Sequence, residues 1–595
     1  MHSNEHFLRQ QFDHVYVVDF EFKPSGQKGC TPWCVVIKDA LSSQAPVKLW
    51  LLEHEFDSLP RCPVNFSDPR SLFVAFSATA EIGAFLDLKW PEPVNVLDLF
   101  AEWRNIKNGV PGPKDGWGET LVFALNGYGL SNFVPVEKAA MRELAIRGGP
   151  FTYTEKQALL DYCEEDVIAT ERLLWAMVPD LRKGVLVRGS YQRALTRVIR
   201  EGTPMDVQLL TRIQDRWPEI TRALQVRAAE QYGVYRDGAW HNEDFDVYLR
   251  KAGIPWRRTS TGLLNTDDKY FKEQAEIWPE LGPLREIRKT LNAGRMIPAF
   301  EVESDGVSRC YMHPFKSSTG RNQPKASEYS WLISDWFREV IQPRPGESLV
   351  EIDWAAQEYA IAAYLSGDPA MIDAYRSGDP YIWLAIASRA VPKGATKKSH
   401  PVEREAYKIA SLAILYGMGQ ETLAKRLKSS KYDAWTVLSN HKRIFARYWE
   451  WQDETMYRAR YQNQFIETHD GWRLRLFPTL DKHSGRLEVN DRQVSNFPMQ
   501  GGGAAQLRAA TRYAVLDYDL RVSALIHDSM VLACPFYRTP CDTELLIRAM
   551  DRASEFVCGK GNLVRTEVTA VTWPSHLGAK KESGKTLWKL IQQNL

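Results

Sequence analysis

Cysteine is scarce in this chain, and its spacing does not suit a structural metal site. The 595 residues include eight cysteines, and the closest pairs are Cys30 with Cys34 and Cys534 with Cys541. These pairs lack the paired close spacing of a structural zinc site. We therefore expect reduced thiols, as in the cytoplasm.

Long apolar runs are also missing. No run is long enough to span a bilayer, and the first residues, MHSNEHFLRQQF, lack the apolar segment of a signal peptide. These absences predict a protein that stays in the cytoplasm and does not enter a membrane.

The chain has no large net charge, no internal repeat and no low-complexity tract. Its formal net charge is +2 and its sequence pI is about 8.0, so affinity for nucleic acid must come from local basic stripes. A chain of 595 residues is too long for one hydrophobic core, and several domains are expected.

Changes in hydrophobic period divide the chain into three parts. Residues 1–179 mix the strand-like runs VYVVDFEF and SLFVAF with a long helical stretch, which predicts an α/β layer. Residues 181–300 are mainly helical and predict a separate arm. The remainder holds the strand-like runs SLVEIDW and RVSALIHDSMVLAC beside long helices, with loops predicted at 317–325 and 501–503.

Acidic residues in the first part predict a metal site. Asp19 and Glu21 alternate along one strand, so both carboxylates point to the same face. Tyr162 and Asp166 are four residues apart in a helix and share a face, where a carboxylate can complete a metal cluster and a phenol can orient water. The alternative is an exposed acidic helix face.

The runs VYVVDFEF and DYCEEDV resemble the first and last motifs of the proofreading 3′-5′ exonucleases that end in Tyr-x3-Asp. The family's middle motif corresponds here to FVAFSATAEIGAF, in which Glu81 is the acidic residue. The resemblance implies that Glu81 is the middle carboxylate, with Asp98 in reserve. It implies metal binding by Asp19, Glu21, Glu81 and Asp166, with Tyr162 and the Asp19, Glu21 and Asp166 carboxylates as catalytic groups.

Two further aspartates, Asp353 and Asp528, lie far apart in the chain, each at the end of a strand-like run. Such a pair can share divalent metals and serve nucleotidyl transfer. The alternative for Asp353 is the N-cap of the following helix.

The segment LVEIDWAAQEYAIAAYLSGD resembles motif A of the family A DNA polymerases, which include bacterial DNA polymerase I and many phage replicases. The resemblance implies that Asp353 binds both metals and that the backbone of Trp354 offers a further oxygen. It also implies that Glu358, with Gln357 beside it, lines the nucleotide site, where Glu358 excludes a 2′-hydroxyl.

The segment SALIHDSMVLAC resembles motif C of the same family, which usually reads His-Asp-Glu. Asp528 is then the second metal carboxylate, and His527 faces the primer terminus. Ser529 replaces the usual glutamate, and we expect catalysis to survive because both aspartates remain.

The segment REAYKIASLAILYGMG resembles the family's helix with the pattern Arg-x3-Lys-x3-aromatic-x3-Tyr-Gly. Arg404, Lys408, Leu412 and Tyr416 are each four residues apart and share a helix face. The resemblance implies that they bind the incoming dNTP, with Lys408 as the proton donor to pyrophosphate. Leucine at 412 replaces the usual aromatic residue.

Two further resemblances imply DNA contacts. The segment SSTGRNQP resembles the family's Thr-Gly-Arg segment, which implies that Arg321 lies in the minor groove of the primer-template duplex. The segment DRQVSNFPMQGGGAAQL resembles the family's Arg-x3-Asn-x3-Gln-Gly helix and loop, which implies that Arg492, Asn496 and Gln500 contact the template strand and the minor-groove edge. The segment IREGTPMD resembles the start of the polymerase domain.

Together these resemblances imply a multidomain α/β and α+β chain, with an RNase-H-like exonuclease domain at 1–185 and a right-hand polymerase after it. Thumb and the start of the palm are expected at 186–345, and palm with fingers at 346–595, the fingers at about 370–480. No room is expected upstream of Asp19 for a 5′ nuclease domain.

The expected activity is that of a DNA-directed DNA polymerase, a phage-type replicase with 3′-5′ proofreading. Two Mg²⁺ ions are expected in each site, with Mn²⁺ as a substitute. The expected partners are primer-template DNA and dNTPs, and we expect a monomer in the cytoplasm, that of the host if a phage encodes it. The alternative is a 3′-5′ exonuclease whose degenerate polymerase half is a DNA-binding scaffold.

Overall fold

The structure is a computed structural model that describes residues 3–26, 28–52, 59–112, 118–130, 135–259, 261–294, 296–480 and 487–595. Its main buried clusters correspond to an N-terminal unit, a helical arm and a C-terminal core. No helix within these ranges is long and apolar enough to cross a membrane.

The N-terminal unit is a mixed sheet covered by helices. Its elements are α1 (Ser3–Gln11), β1 (His14–Ser25), β2 (Gly29–Asp39), β3 (Val47–Trp50), β4 (Ser71–Ala75), α2 (Ala78–Asp87), β5 (Asn95–Asp98), α3 (Leu99–Lys107), α4 (Leu121–Gly127), α5 (Pro135–Arg147) and α6 (Tyr153–Met177). The strand order is β3-β2-β1-β4-β5, with β1 antiparallel to β2 and parallel to β4. Strand β1 is central, and its buried valines make it part of the core.

A connecting helix and a helical arm follow. The elements are α7 (Val185–Glu201), β6 (Thr203–Pro204), α8 (Val207–Asp215), α9 (Trp217–Tyr232), β7 (Tyr235–Arg236), β8 (Ala239–Trp240), α10 (Asn242–Lys251), α11 (Asp268–Ile277) and α12 (Leu281–Asn292). We call residues 203–300 the helical arm. Helix α7 packs on β5 and α2 of the N-terminal unit and also on the C-terminal core.

The C-terminal core is built on a four-stranded sheet and long helices. The elements are β9 (Val307–Ser308), α13 (Ser330–Ile333), β10 (Glu347–Trp354), α14 (Gln357–Ser366), α15 (Pro369–Arg376), α16 (Pro380–Ala387), α17 (Pro401–Leu415), α18 (Gln420–Leu427), α19 (Lys431–Ile444), α20 (Ala446–Tyr457), β11 (Phe465–Glu467), β12 (Arg473–Arg475), β13 (Thr479–Leu480), β14 (Leu487–Glu488), α21 (Asp491–Arg512), β15 (Val522–Ile526), β16 (Ser529–Pro535), α22 (Thr539–Cys558), β17 (Thr566–Thr572) and α23 (Glu582–Gln592). The sheet has the order β15-β16-β10-β17 and is antiparallel throughout.

Two sequence predictions are corrected here. Residues 501–503 are not a loop, because helix α21 continues through them. The run RVSALIHDSMVLAC is not one strand but the hairpin β15–β16, which turns at His527 and Asp528. Helix α23 lies in the third predicted part of the chain, yet it packs on α12 and α9 of the arm.

A buried ion-pair network joins the N-terminal unit to the C-terminal core. Arg188 of α7 binds Glu102 of α3 through both carboxylate oxygens, at 2.7 and 2.6 Å, and donates to the carbonyl of Asp470. The carboxylate of Asp470 in turn accepts from Arg508 of α21 at 2.8 Å. Because these groups are buried, the network fixes the two units against each other.

The helical arm also contacts the helices of the C-terminal core. The ammonium of Lys428, at the end of α18, lies 3.4 Å from the ring centroid of Trp278, which follows α11. This is a cation–π contact between segments that are 150 residues apart in sequence.

Candidate active sites

Asp353 and Asp528 come together at one end of the four-stranded sheet. Asp353 pairs with Ser529 in the register of β10 and β16, so the hairpin turn brings Asp528 beside it. The amide of Trp354 donates to the carbonyl of Asp528 at 3.2 Å. The two aspartates, 175 positions apart, are therefore neighbours, with Asp353 on β10 and Asp528 in the adjacent hairpin turn.

The electrostatics of this pair suit a bound cation. Burial, with the nearby Asp528 charge, raises the pKa of Asp353 to about 7, and burial also raises the pKa of Asp528. The Oδ1 atom of Asp353 is buried and has no hydrogen-bond partner among the described residues. A divalent cation with a preference for oxygen ligands would satisfy this atom and offset the repulsion, so the site fits Mg²⁺. The expected ligand from Trp354 is a backbone oxygen, since its indole is buried in the core.

Helix α17 carries the residues predicted to bind a triphosphate. It begins with a proline at its first position and ends at Leu415, with Tyr416 as its C-cap. Arg404 donates to Asp379 at 2.9 Å, and Lys408 lies 3.5 Å from Glu405. Both cationic side chains are partly exposed, and Leu412 packs against the C-terminal core.

Glu358 links two of the predicted motifs. Arg321 donates to its carboxylate at 3.2 Å. Tyr416 lies on the other side of Glu358. Burial, together with the nearby Glu358 carboxylate, raises the pKa of the Tyr416 phenol. The structure thus brings Arg321, Glu358 and Tyr416 together beside the start of α14.

A cavity of about 710 Å³ lies next to the hairpin turn. Arg321, Gln500 and His527 are among the residues that line it, and all three were predicted to bind DNA. His527 has φ of +48°, a left-handed backbone conformation that holds the turn, and burial lowers the pKa of its imidazole. The imidazole is therefore uncharged at neutral pH and would not repel a metal ion bound to the neighbouring Asp528.

Three further residues that were predicted to bind nucleotide or DNA lie in different environments, one in the core, one part-buried and one exposed. Gln357 is 3% exposed and donates to Gln506 at 3.1 Å, so the structure places it in the core rather than at an open nucleotide site. Asn496 has a buried Oδ1 with no partner among the residues described. Arg492 is exposed, and its side chain lies beside Gly417, just after α17.

The N-terminal acidic residues also converge. Carboxylate oxygens of Asp19 and Glu21 on β1 and of Asp166 on α6 all lie within 4.8 Å of one another. Burial, followed by the charges of Asp166 and Glu21, raises the pKa of Tyr162. The strand alternation and the helical spacing thus produce the predicted cluster, with a neutral phenol at its edge.

Glu81 and Asp98 behave differently in the structure. Glu81 is buried on α2, its Oε2 has no hydrogen-bond partner among the described residues, and burial together with Asp19 raises its pKa strongly. Asp98 is the N-cap of α3, where it accepts from the amides of Phe100 and Ala101. It also accepts from Gln192 at 2.6 Å. Asp98 thus caps α3 and both of its oxygens accept hydrogen bonds, whereas Glu81 carries an oxygen without a partner among the described residues.

Comparison with known proteins places this geometry in a family. The model of DNA polymerase family A matches residues 254–568, which is more than half of the chain. The chain belongs to DNA polymerase family A. The matched region contains Asp353, Asp528, helix α17 and helix α21.

The family A chain is also similar to individual proteins. It is 22% identical over 408 residues to DNA polymerase I of Aquifex aeolicus (strain VF5), and the alignment covers 64% of this chain and 66% of that protein. It is 25% identical over 278 residues to the DNA polymerase of Mycobacterium phage L5, and this alignment covers 44% of each protein. The alignments therefore span less than two thirds of these relatives.

A solved structure shares the fold of the family A chain. The POL domain of Pol1 from M. smegmatis, in complex with DNA primer-template and dNTP, superimposes with a TM-score of 0.68 at 17% identity. The match covers 97% of this chain and 98% of that one. At this identity the likeness extends to the fold alone.

Proposed function

We propose that this family A chain is a template-directed DNA polymerase that extends a primer from dNTPs, as a phage-type replicase. The observation that carries the proposal is the pairing of Asp353 with Asp528 at the end of β10 and the hairpin turn, with a buried, unpartnered Oδ1 on Asp353. Two such carboxylates at the end of a sheet suit metal-assisted nucleotidyl transfer.

Asp353, Asp528 and the backbone oxygen of Trp354 would hold two Mg²⁺ ions. When bound, these ions would supply a lowered pKa for the primer 3′-hydroxyl and charge neutralisation for the leaving pyrophosphate. Arg404 and Lys408, on one face of α17, neutralise the triphosphate, and Lys408 donates the proton to pyrophosphate. Their present carboxylate partners, Asp379 and Glu405, are part-exposed and exchange readily for phosphate.

Nucleotide choice depends on the base pair and on the shape of the site. Glu358, held by Arg321, takes the space of a 2′-hydroxyl and so excludes ribonucleotides, while Tyr416 lies beside the templating base. His527 faces the primer terminus and Arg321 enters the minor groove of the primer-template duplex, and both line the 710 Å³ cavity together with Gln500. Arg492, Asn496 and Gln500 contact the template strand. In this scheme residues 203–300 are the thumb, the four-stranded sheet is the palm, and α17 to α20 belong to the fingers.

We propose a second activity, 3′-5′ exonuclease proofreading, for the N-terminal unit. Asp19, Glu21 and Asp166 offer carboxylate oxygens within 4.8 Å of one another, a spacing that suits shared divalent ions. Glu81, whose Oε2 is buried and unpartnered, is the fourth carboxylate, and Tyr162 orients the attacking water.

Primer extension by the purified full-length chain tests the polymerase proposal. Asp528→Asn should reduce extension by about 10³-fold or more, because the site loses a carboxylate worth several kcal/mol to the transition state. Degradation of single-stranded DNA should persist. The matched control is Asp519→Asn, a 91% exposed carboxylate between α21 and β15, which should extend primers at the original rate.

The same experiment separates the alternative, an exonuclease whose C-terminal half is a DNA-binding scaffold. The leucine at 412 and the serine at 529 are the departures that favour it. A chain that binds primer-template and degrades single strands but extends no primer would establish the scaffold and overturn the replicase.

A further inference from the structure

Glu351 is a buried carboxylate on the same strand as Asp353, two residues before it. It is 1% exposed, and its two carboxylate oxygens accept from different cations. Arg338 donates to Oε2 at 2.6 Å, and Lys580 donates to Oε1 at 2.8 Å. Residues two apart on a strand share a face, so this cluster lies beside the metal-binding aspartate.

Lys580 reaches this position from the C-terminal segment that follows β17. The amide of Ala579 donates to Glu339 at 2.9 Å, and the amide of Lys581 donates to Asp335 at 2.8 Å, so the backbone on both sides of Lys580 is fixed. The Lys580 charge also acts on Asp353, where it opposes the effect of burial on the pKa. With its ammonium 2.8 Å from Oε1 of Glu351, two residues along the same strand from Asp353, Lys580 lies within reach of Asp353 on its flexible stem.

Ser529 completes the cluster. It pairs with Asp353 across the sheet, and its Oγ lies 3.4 Å from Oε1 of Glu351. A glutamate at position 529, longer by two bonds, would place its carboxylate in the space that Glu351 now fills. The chain thus supplies one carboxylate to this space, from β10 instead of from the hairpin.

We propose that Glu351 is a positioning residue that holds Lys580 and Arg338 away from Asp353 and so keeps the aspartate pair open to a divalent cation. The inference rests on the proposed polymerase function. Without Glu351 the buried Arg338 and the part-exposed Lys580 would turn to the nearest anion, and Lys580, on its flexible stem, would compete with the metal for Asp353. Position 351 takes this role because position 529 is a serine.

The test measures Mn²⁺ binding by electron paramagnetic resonance in the full chain carrying Asp19→Ala and Glu21→Ala, so that the N-terminal site is silent. Glu351→Gln should weaken Mn²⁺ binding by about tenfold or more, because Lys580 now competes for Asp353. The Mg²⁺ concentration for half-maximal primer extension should rise by a similar factor. Lys585→Gln, an exposed lysine of α23, is the matched control and should change neither value.

Removal of the competing cation distinguishes positioning from general support of the fold. Lys580→Gln added to Glu351→Gln should restore Mn²⁺ binding to within about threefold of the parent chain, because no free ammonium remains beside Asp353. Glu351→Ser combined with Ser529→Glu should restore it as well. A purely structural glutamate would be rescued by neither change.

The outcomes are separable even if Glu351→Gln fails to fold. Lys580→Gln alone should leave Mn²⁺ binding unchanged or tighter; binding weakened by more than about threefold would overturn the proposal, since it would mean that Lys580 supports the site. Failure of both rescue pairs would also overturn it. If the unaltered chain extends no primer, the proposed function fails, whereas the Mn²⁺ titrations still decide the role of Glu351.

Discussion

The two carboxylate sites of this chain differ in how they balance charge. The N-terminal site gathers Asp19, Glu21 and Asp166 from a strand and a helix, and the neighbouring charges that act on Glu81 are carboxylates. At the C-terminal site one aspartate from β10 and one from the hairpin turn are influenced by Lys580 and Arg321 as well.

The difference matches what each site is proposed to do. An exonuclease site binds metal and one phosphate of a single strand, so carboxylates dominate. A polymerase site must also receive a triphosphate, for which cations are needed close by but must not occupy the metal-binding aspartates. The comparison shows that placing cations is as much a part of the second site as placing acids.

The largest effect is expected at the N-terminal site. Asp19→Ala with Glu21→Ala should reduce degradation of single-stranded DNA by about 10³-fold or more, since the metal cluster is lost. Primer extension should be spared. Asp161→Asn, an exposed carboxylate on the same helix as Asp166, is the control that should degrade DNA normally. Loss of extension in the double variant would show that the two sites are not independent.

The next effect concerns the network that joins the two regions. Arg508→Met leaves the buried carboxylate of Asp470 without its partner and should lower the free energy of unfolding by about 3–5 kcal/mol in urea denaturation. Lys48→Met, which removes partly exposed pairs with Asp161 and Glu164, should cost about 1 kcal/mol or less. Equal costs for the two variants would contradict the role assigned to the buried pair.

A smaller effect is expected from the phenol of the N-terminal site. Tyr162→Phe should slow degradation by about 10²-fold, because the attacking water loses its orienting group while the metal ligands remain. Tyr153→Phe on the same helix is 78% exposed and should have no effect. An unchanged rate for Tyr162→Phe would remove the phenol from the mechanism.

The smallest effect is in the pH dependence of the C-terminal site. Because burial raises the pKa of Asp353 to about 7, its protonated form predominates below that pH and cannot bind a cation. Extension at limiting Mg²⁺ should therefore rise about tenfold per pH unit up to about 7 and then level off. Saturating Mg²⁺ should move the inflection to lower pH, since the metal displaces the proton. A profile without an inflection between about pH 6 and 8 would argue against the raised pKa.

Short-range patterns were predictable from the sequence. Strand β1 and helix α6 follow from alternation and from helical spacing, and the approach of Asp19, Glu21 and Asp166 follows from them. The family of the C-terminal half was predicted from the resemblance of its segments to family motifs, and the family match confirms it.

Long-range packing was not predictable. The glycines at 501–503 were interpreted as a loop, but they allow close approach of α21 to its neighbours: a Cβ at Gly503 would lie 2.6 Å from the amide oxygen of Gln357. For the same reason Gln357 is buried rather than exposed to a nucleotide. The pairing of Glu351 with Lys580 joins residues 229 positions apart, and no local pattern indicates it.

The contact between Trp278 and Lys428 has a topological consequence. The arm packs on the four-stranded sheet, the helices α17 and α14 join that sheet to α18, and the indole–ammonium contact completes the circuit. Movement of the arm away from α18 therefore requires this contact to open. One exposed cation–π contact contributes about 0.5–1 kcal/mol, so thermal motion alone is enough to break and re-form it.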